Sequence, residues 1–333
     1  FDQTMKIICV IPVTRSEYGL LIPLMRKISN NKNLKLQLIV TGMHLSPEFG
    51  LTYKFIEEDG FYINEKIEIL LSSDTQIGIS KSMGLSMISF SEAYKRLNPD
   101  LVVVLGDRYE IFSAVASANI FKIPTAHIHG GEITQGSYDE NFRHSITKMS
   151  HLHYTSTAEY RSRVIQLGEA PKNVLNVGAL GVENIQNMQF LRKSVLEDKI
   201  DFKLDNDYIL VTYHPATLTD LSSKENFQNI LDALDEFKNK KIIFTKTNSD
   251  TDGRIINNMI EKYFEKNYKR VIVFKSMGQL KYLSAMKHAG LVLGNSSSGI
   301  IEAPSFKVPT VNIGDRQKGR VQSKSIINCN TDK

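Results

Sequence analysis

Cysteine is nearly absent from this chain: two occur in 333 residues, Cys9 and Cys329. Two thiols build neither a disulfide framework nor a zinc ligand set, so a reducing compartment is expected, and with it a cytoplasmic location. Cys9 lies inside an apolar run and reads as a small core residue. No apolar stretch reaches the length that spans a bilayer, and no signal-peptide pattern precedes the first strand. Met5-Lys6 reads as a natural start, and from the lack of a spanning stretch no membrane partner is expected. Charge of one sign is missing too, with 41 basic residues against 36 acidic and a net charge of +5. So mild and mixed a balance, with no basic block beyond pairs such as Lys240-Lys241, argues against nucleic acid and suits a small anionic ligand. Walker A, Gly-x-Gly-x-x-Gly and Gly-x-Ser-x-Gly patterns are all absent, which argues against an ATPase, a nicotinamide enzyme and a nucleophile elbow.

What is present is a regular alternation. Apolar residues make up 41% and charged residues 23%, the balance of a globular protein, and the length suits two domains. Strands are expected at Lys6–Val13, Lys35–Thr41, Asp100–Leu105, Pro124–His129, His151–Ser156 and Val174–Val177. A second set is expected at Tyr208–Tyr213, Lys241–Thr245, Arg270–Phe274, Leu291–Leu293 and Val308–Asn312. Runs such as Leu101–Leu105 are apolar throughout, as in strands covered on both faces. Between strands, Met83, Met87, Phe90, Tyr94 and Leu97 recur at helical spacing, and Asn98-Pro99 stops that helix. Phe227, Ile230, Leu234 and Phe237 mark another. The pattern predicts an α/β protein with two Rossmann-like doubly wound domains facing a cleft, residues 5–180 and 181–333, hinged near Gly178–Glu183.

In open parallel sheets ligands bind beyond the carboxyl ends of the strands, and the chemistry-bearing motifs follow strands here. Thr14-Arg15-Ser16-Glu17-Tyr18-Gly19 follows the first and offers small polar residues and a cation at a helix start. Gly106-Asp107-Arg108 follows Asp100–Leu105; Asp107 is either a working carboxylate or only the cap of the next helix. His127-Ile128-His129-Gly130-Gly131-Glu132 follows the next strand and continues to Asp139, Arg143 and His144. Residues 127 and 129 share a face if the strand is regular. Carboxylates and imidazoles converging on one cleft suit proton transfer. A metal site, suggested by the second His-x-His at His151 and His153, is the competitor, but a third ligand is not evident and no metal is expected. In the second half, His214-Pro215, Asn248–Arg254 and Gly294-Asn295-Ser296-Ser297-Ser298-Gly299 follow strands. The last is a run of small polar residues opening a helix, suited to cradling phosphate. Glu302 stands one turn inside, and Gly314–Arg320 adds cations.

With these segments in this order, the chain resembles the hydrolysing UDP-N-acetylglucosamine 2-epimerases of sialic acid biosynthesis, of the glycosyltransferase-B-like fold, from Met5 to its end. The resemblance implies a nucleotide held by Arg15, Gly19, Arg108, His214, Asn248, Arg254, Tyr282, Ser296, Ser297, Glu302 and Arg316. Tyr282 would stack on uracil, Glu302 would fix the ribose, and His214 would hold phosphate and count among the catalytic groups. It implies that Asp107, His129, and Asp139 with Arg143 face the sugar. Some relatives carry Glu where this chain has His129, which leaves proton transfer open between His129 and Glu132. The implied chemistry removes the C2 proton as UDP leaves C1, then hydrates the resulting 2-acetamidoglucal to N-acetylmannosamine. It needs no metal or redox cofactor. The same reaction on a UDP- or GDP-linked 2,4-diacetamido-2,4,6-trideoxyhexose, or a non-hydrolysing 2-epimerase, fits the same residues. The resemblance further implies a homodimer, and a final helix beyond Lys333 that crosses back to the first domain.

Overall fold

Seven short strands of the first half lie side by side in one parallel sheet. They are β1 (Lys6–Val10), β2 (Leu34–Thr41), β3 (Glu65–Ile67), β4 (Leu101–Leu105), β5 (Thr125–Ile128), β6 (Leu152–Thr155) and β7 (Val174–Asn176), in the order β3-β2-β1-β4-β5-β6-β7. This computed structural model describes residues 5–71, 75–135, 137–215, 223–247 and 252–331. Side chains alternate across the sheet as the pleat requires. Cys9, Ile39, Val102 and Val104 join a core on one face, and Val10, Leu38, Val40, Val103 and Leu105 one on the other. Helices α1 (Arg15–Ser29), α2 (Tyr53–Glu58), α3 (Gln76–Leu97), α4 (Tyr109–Ile120), α5 (Asp139–Met149) and α6 (Ala158–Gln166) connect the strands.

The second sheet holds β8 (Ile209–Thr212), β9 (Ile242–Thr245), β10 (Val271–Phe274), β11 (Leu291–Gly294), β12 (Thr310–Ile313) and β13 (Ile326–Cys329), in the order β10-β9-β8-β11-β12-β13 and again parallel. Its helices are α7 (Leu180–Asn187), α8 (Lys193–Ile200), α9 (Ser223–Asp235), α10 (Gly253–Asn267), α11 (Gln279–His288) and α12 (Ser297–Ile301). Both sheets reverse their strand order at one place, between β1 and β4 and between β8 and β11. Such switch points leave a crevice at the carboxyl edge. The turns after β1, β4, β5, β8 and β11 carry the side chains of interest.

The two compact units are Phe1–Glu132 with Asp139–Leu180, and Ile133–Tyr138 with Gly181–Lys333. A contiguous division at 180 misses the short excursion of residues 133–138 into the second unit. Gln135 donates its backbone N–H to the Lys318 carbonyl at 3.3 Å. Ile133 lies so close to Gly319 that a Cβ there would meet its Cγ2 at 2.4 Å. Contacts of this kind depend on a partner nearly two hundred residues away, which no local period announces.

Other expectations shift at their edges. The first strand ends at Val10 rather than Val13, and the helix begins at Arg15, so Gly19 is buried inside α1 rather than ahead of it. On α3 the core face is Ser82, Ser86, Phe90 and Tyr94, while Met87 is exposed; the helix stops at Leu97 with Asn98 in a left-handed conformation. Phe237 lies beyond the end of α9 and is exposed. Strands β3 and β13 add to the expected set; they are three and four residues long and outermost in their sheets, too short to show a period. The thiol of Cys9 is buried, and burial pushes its pKa far up. Among the described residues no helix is long and apolar enough to cross a membrane.

Candidate functional site

In the first unit the turn after β4 carries the central ion pair. Gly106 takes a positive φ of 84°, and Arg108, not Asp107, occupies the cap position of α4. Asp107 is thereby released from a capping duty and pairs with Arg143 of α5. Arg143 is among the most buried side chains and also donates to the Glu132 carbonyl at 2.9 Å. Arg108 turns the other way, gripped in a two-pronged bond by the fully buried Glu110 at 3.0 and 3.1 Å. Beside them Glu17 accepts from the Val13 N–H at 3.3 Å. The residue as a whole is only partly buried, yet its carboxyl turns inwards, and desolvation pushes it up to about 8 against the opposing pull of Arg108.

The turn after β5 departs from a regular strand, which corrects the expectation that His127 and His129 share a face. β5 ends at Ile128, and His129 sits in the left-handed region at φ 66°. Such a conformation costs a non-glycine residue on the order of 1 kcal/mol or more and is concentrated at working sites. His129 Nε2 accepts from the Leu180 N–H at 3.3 Å, so a neutral ring carries its proton on Nδ1, 3.5 Å from Glu132 Oε1. Glu132 is buried and also accepts from Ser156 at 2.9 Å. The glycine pair brings backbone close to α6 rather than opening a gap: a Cβ on Gly131 would meet the Tyr160 carbonyl oxygen at 2.4 Å. Asp139 opens α5 one turn before Arg143, while His144 turns to Glu140 at 3.8 Å. The second His-x-His divides: His153 is buried against Glu169 at 3.1 Å, and His151 is exposed.

His127 points into the interior. Its Nε2 lies 2.8 Å from the Gly106 carbonyl and its Nδ1 3.1 Å from Thr147 of α5. The carbonyl can only accept, so Nε2 carries the proton and Nδ1 accepts from the hydroxyl. Burial lowers its pKa to about 4, and likewise that of His44, which bonds Thr52. Both values lie below the ordinary one of an unfolded histidine, so between pH 6.5 and 4 the unfolded chain binds more protons. Stability is therefore full above pH 6.5 and is lost as the pH falls through that window, by roughly 2–3 kcal/mol per ring. Urea midpoints measured from pH 7 to 4.5 should fall, and less steeply in His127→Gln; equal slopes would refute a neutral His127.

In the second unit the turn after β8 is bolted to the turn after β11. The His214 N–H donates to Asn295 Oδ1 at 2.7 Å, and Asn295 Nδ2 returns a bond to the His214 carbonyl at 2.8 Å. His214 Nδ1 meets Thr247 at 2.8 Å. The Asn295 carbonyl then accepts from Gln317 at 2.8 Å and Arg316 at 3.3 Å. Ser296 caps α12, and Ser297 is its first residue. Tyr282 is tied by its hydroxyl to Ser298 at 2.6 Å. Glu302 lies against the start of α7, where a Cβ on Gly181 would meet its Oε1 at 2.3 Å. Arg254 sits in the first turn of α10. Asn248 lies outside the described residues.

Thus the first unit gathers Asp107, Arg143, Glu132 and His129, with Asp139 a turn away, and sets Arg108 against Glu110. Arg15 stacks its guanidinium 4.5 Å over the Phe55 ring, and burial lowers its pKa. The second unit gathers His214 with Arg316, and Tyr282 with Ser296, while Arg254 and Glu302 stand on separate elements. A profile described as UDP-N-acetylglucosamine 2-epimerase matches residues 26–333. The chain belongs to that family.

Among its relatives is a Campylobacter jejuni protein named GDP/UDP-N,N'-diacetylbacillosamine 2-epimerase (hydrolyzing), 49% identical over 96% of this chain and 83% of the relative. The Escherichia coli polysialic acid biosynthesis protein P7 is 44% identical over 99% and 84%. A Legionella pneumophila UDP-N,N'-diacetylbacillosamine 2-epimerase (hydrolyzing) is 34% identical over 94% and 82%. A solved Methanocaldococcus jannaschii UDP-GlcNAc 2-epimerase, in complex with UDP-GlcNAc and UDP, superposes with a TM-score of 0.78 at 23% identity over 98% of this chain and 90% of that one. That likeness shows the shared fold of two parallel sheets with alternating helices. As a member of the family the chain is an enzyme acting on nucleotide sugars.

What escapes a reading of the sequence is the pairing of Glu110, Asn295, Thr147 and Ser156. Their partners lie on other elements or across a turn, and only a fold names them.

Proposed function

We propose that this enzyme is a hydrolysing 2-epimerase of a UDP- or GDP-linked 2,4-diacetamido-2,4,6-trideoxyhexose, releasing the nucleoside diphosphate and the free 2-epimeric sugar. The reading rests on the 49% identity, over nearly the whole chain, to the Campylobacter jejuni diacetylbacillosamine 2-epimerase. The Legionella pneumophila relative supports it further.

The C2 hydrogen of such a sugar is a very weak acid, so its removal and departure of the diphosphate from C1 belong together. The products of that step are a glycal and the nucleoside diphosphate; water then adds at C1 and a proton returns to C2 from the other face. Donors and cations held ready for the developing diphosphate charge lower the barrier. His214, Ser296, Ser297, Arg254 and Arg316 are our candidates for that task, with Tyr282, Glu302, Arg15, Gly19, Arg108 and Asn248 for the rest of the nucleotide. For proton transfer we assign Asp107 and Asp139 with Arg143, and His129 with Glu132. The Nδ1–H of His129 faces the Glu132 carboxylate, an arrangement that orients an imidazole so that Nε2 is its working atom. Working through Nε2 then requires its bond from Leu180 to open.

A second reading, conversion of UDP-N-acetylglucosamine to N-acetylmannosamine and UDP, draws support from the 44% identity to the polysialic acid biosynthesis protein and 32% to a Neisseria meningitidis UDP-N-acetylglucosamine 2-epimerase. Incubating the enzyme in D2O with each sugar nucleotide separately, followed by NMR, decides between them. The diacetamido substrate should yield free nucleoside diphosphate and a sugar carrying deuterium at C2. Faster turnover of UDP-N-acetylglucosamine would favour the second reading, and a product still joined to UDP would exclude hydrolysis.

A further inference from the structure

Five hydroxyls run in an unbroken line beneath the serine turn of the second unit. Thr245 and Thr212 are 2.6 Å apart, Thr212 and Tyr282 3.4 Å, Tyr282 and Ser298 2.6 Å, and Ser298 and Ser296 3.0 Å. They come from four elements: the ends of β9 and β8, the first turn of α11, and the turn opening α12. At the far end Thr245 reaches the Val211 carbonyl at 3.5 Å.

Each hydroxyl has a single proton to give, so the line has a direction. A phenol is a stronger acid than an aliphatic alcohol and the better donor. Of the hydroxyls around Tyr282, Ser298 is nearer than Thr212 by 0.8 Å (3.4 less 2.6), and Ser296 also interacts with the phenol. The short contact takes the phenolic proton. Ser298, having accepted it, passes its own proton to Ser296. Ser296 also accepts from the Ser298 backbone N–H at 3.4 Å. Both its lone pairs are then engaged, and its proton is available to an acceptor beyond the line.

We propose that Tyr282 is a positioning residue for the diphosphate: by donating to Ser298 it sets the direction of the line, so that the Ser296 hydroxyl is presented as a donor to a phosphate oxygen. The inference rests on the nucleotide-sugar reading above and gives the tyrosine hydroxyl a task separate from any stacking of its ring on the base. Burial raises the pKa of Tyr282, which keeps the phenol protonated and able to donate. Without it, Ser296 and Ser298 can donate to one another in either sense, and the outward donor is held for only part of the time.

The test compares the affinity of UDP with that of uridine, by calorimetry, in the unmodified chain, Tyr282→Phe and Ser298→Ala. Phenylalanine keeps the ring, so uridine should bind as before, while UDP should weaken by roughly fivefold, the worth of one ordinary hydrogen bond. Ser298→Ala removes the next link and should shift the same ratio in the same direction. It also keeps the question open to measurement if Tyr282→Phe does not fold. Unchanged UDP affinity in either variant would overturn the proposal. So would equal weakening of UDP and uridine, since that marks damage to the site as a whole. If the unmodified chain binds neither UDP nor GDP, the nucleotide-sugar reading falls and this inference with it.

Discussion

Asp107→Asn should lower turnover by on the order of a hundredfold or more while changing the affinity for the nucleoside diphosphate less than about twofold. The substitution keeps size and shape and removes the charge. Groups that take or give a proton in the rate-determining step typically contribute 10²–10⁴-fold. The fold should tolerate the change. Arg143 keeps its bond to the Glu132 carbonyl at 2.9 Å, and the asparagine amide oxygen still accepts from the guanidinium. The cost to stability is then about 1 kcal/mol. Steady-state kinetics of sugar release together with a UDP titration check both halves. A variant retaining a tenth of native turnover would remove Asp107 from the chemistry. One that loses diphosphate affinity as well would mark it as a general support of the fold.

Gly294→Ala should be the most damaging small substitution in the second unit. The residue has φ 134°, a region that L side chains rarely adopt, and its Cβ would sit 2.0 Å from the Thr212 carbonyl oxygen. Gly294 is the last residue of β11 and pairs in register with Thr212 of β8. Relief therefore requires the two central strands to separate where they launch His214 and Asn295. A loss above about 3 kcal/mol is expected, with UDP binding abolished. Gly84→Ala is the control. That glycine lies inside α3, and a Cβ added there would have no neighbour within 4 Å, so alanine should stabilise by about 0.5–1 kcal/mol through helix propensity alone. Thermal melts of the two variants should move in opposite directions. Similar melts would show that the close approach at Gly294 is relieved cheaply.

The sites differ in how far they are legible in the sequence. Asp107 stands out because Gly106-Asp107-Arg108 follows an all-apolar strand, and a polar turn in that place has few structural duties. Its partner Arg143 is legible only as a neighbour of Asp139 on a helix; nothing local says that Arg143 and Asp107 meet. His127 and His129 read as one same-face pair. The left-handed turn at His129 divides them, leaving one to hold the Gly106 carbonyl and the other to face Glu132. Tyr282 offers the sequence only its ring, since a hydroxyl's partner cannot be seen along one helix.

By itself the sequence determined the class of protein: alternating apolar runs and helical periods lead to two parallel sheets, because each short strand must be covered on both faces. It also marked the turns where polar and glycine residues cluster after largely apolar strands. Tertiary structure decided the pairing. Asp107 with Arg143, Arg108 with Glu110, His214 with Asn295, and the hydroxyl line from Thr245 to Ser296 each join residues between two and eighty-one positions apart. A hydrogen bond tolerates only a few tenths of an ångström in its length, and a chain reaches that precision only after its sheets have assembled.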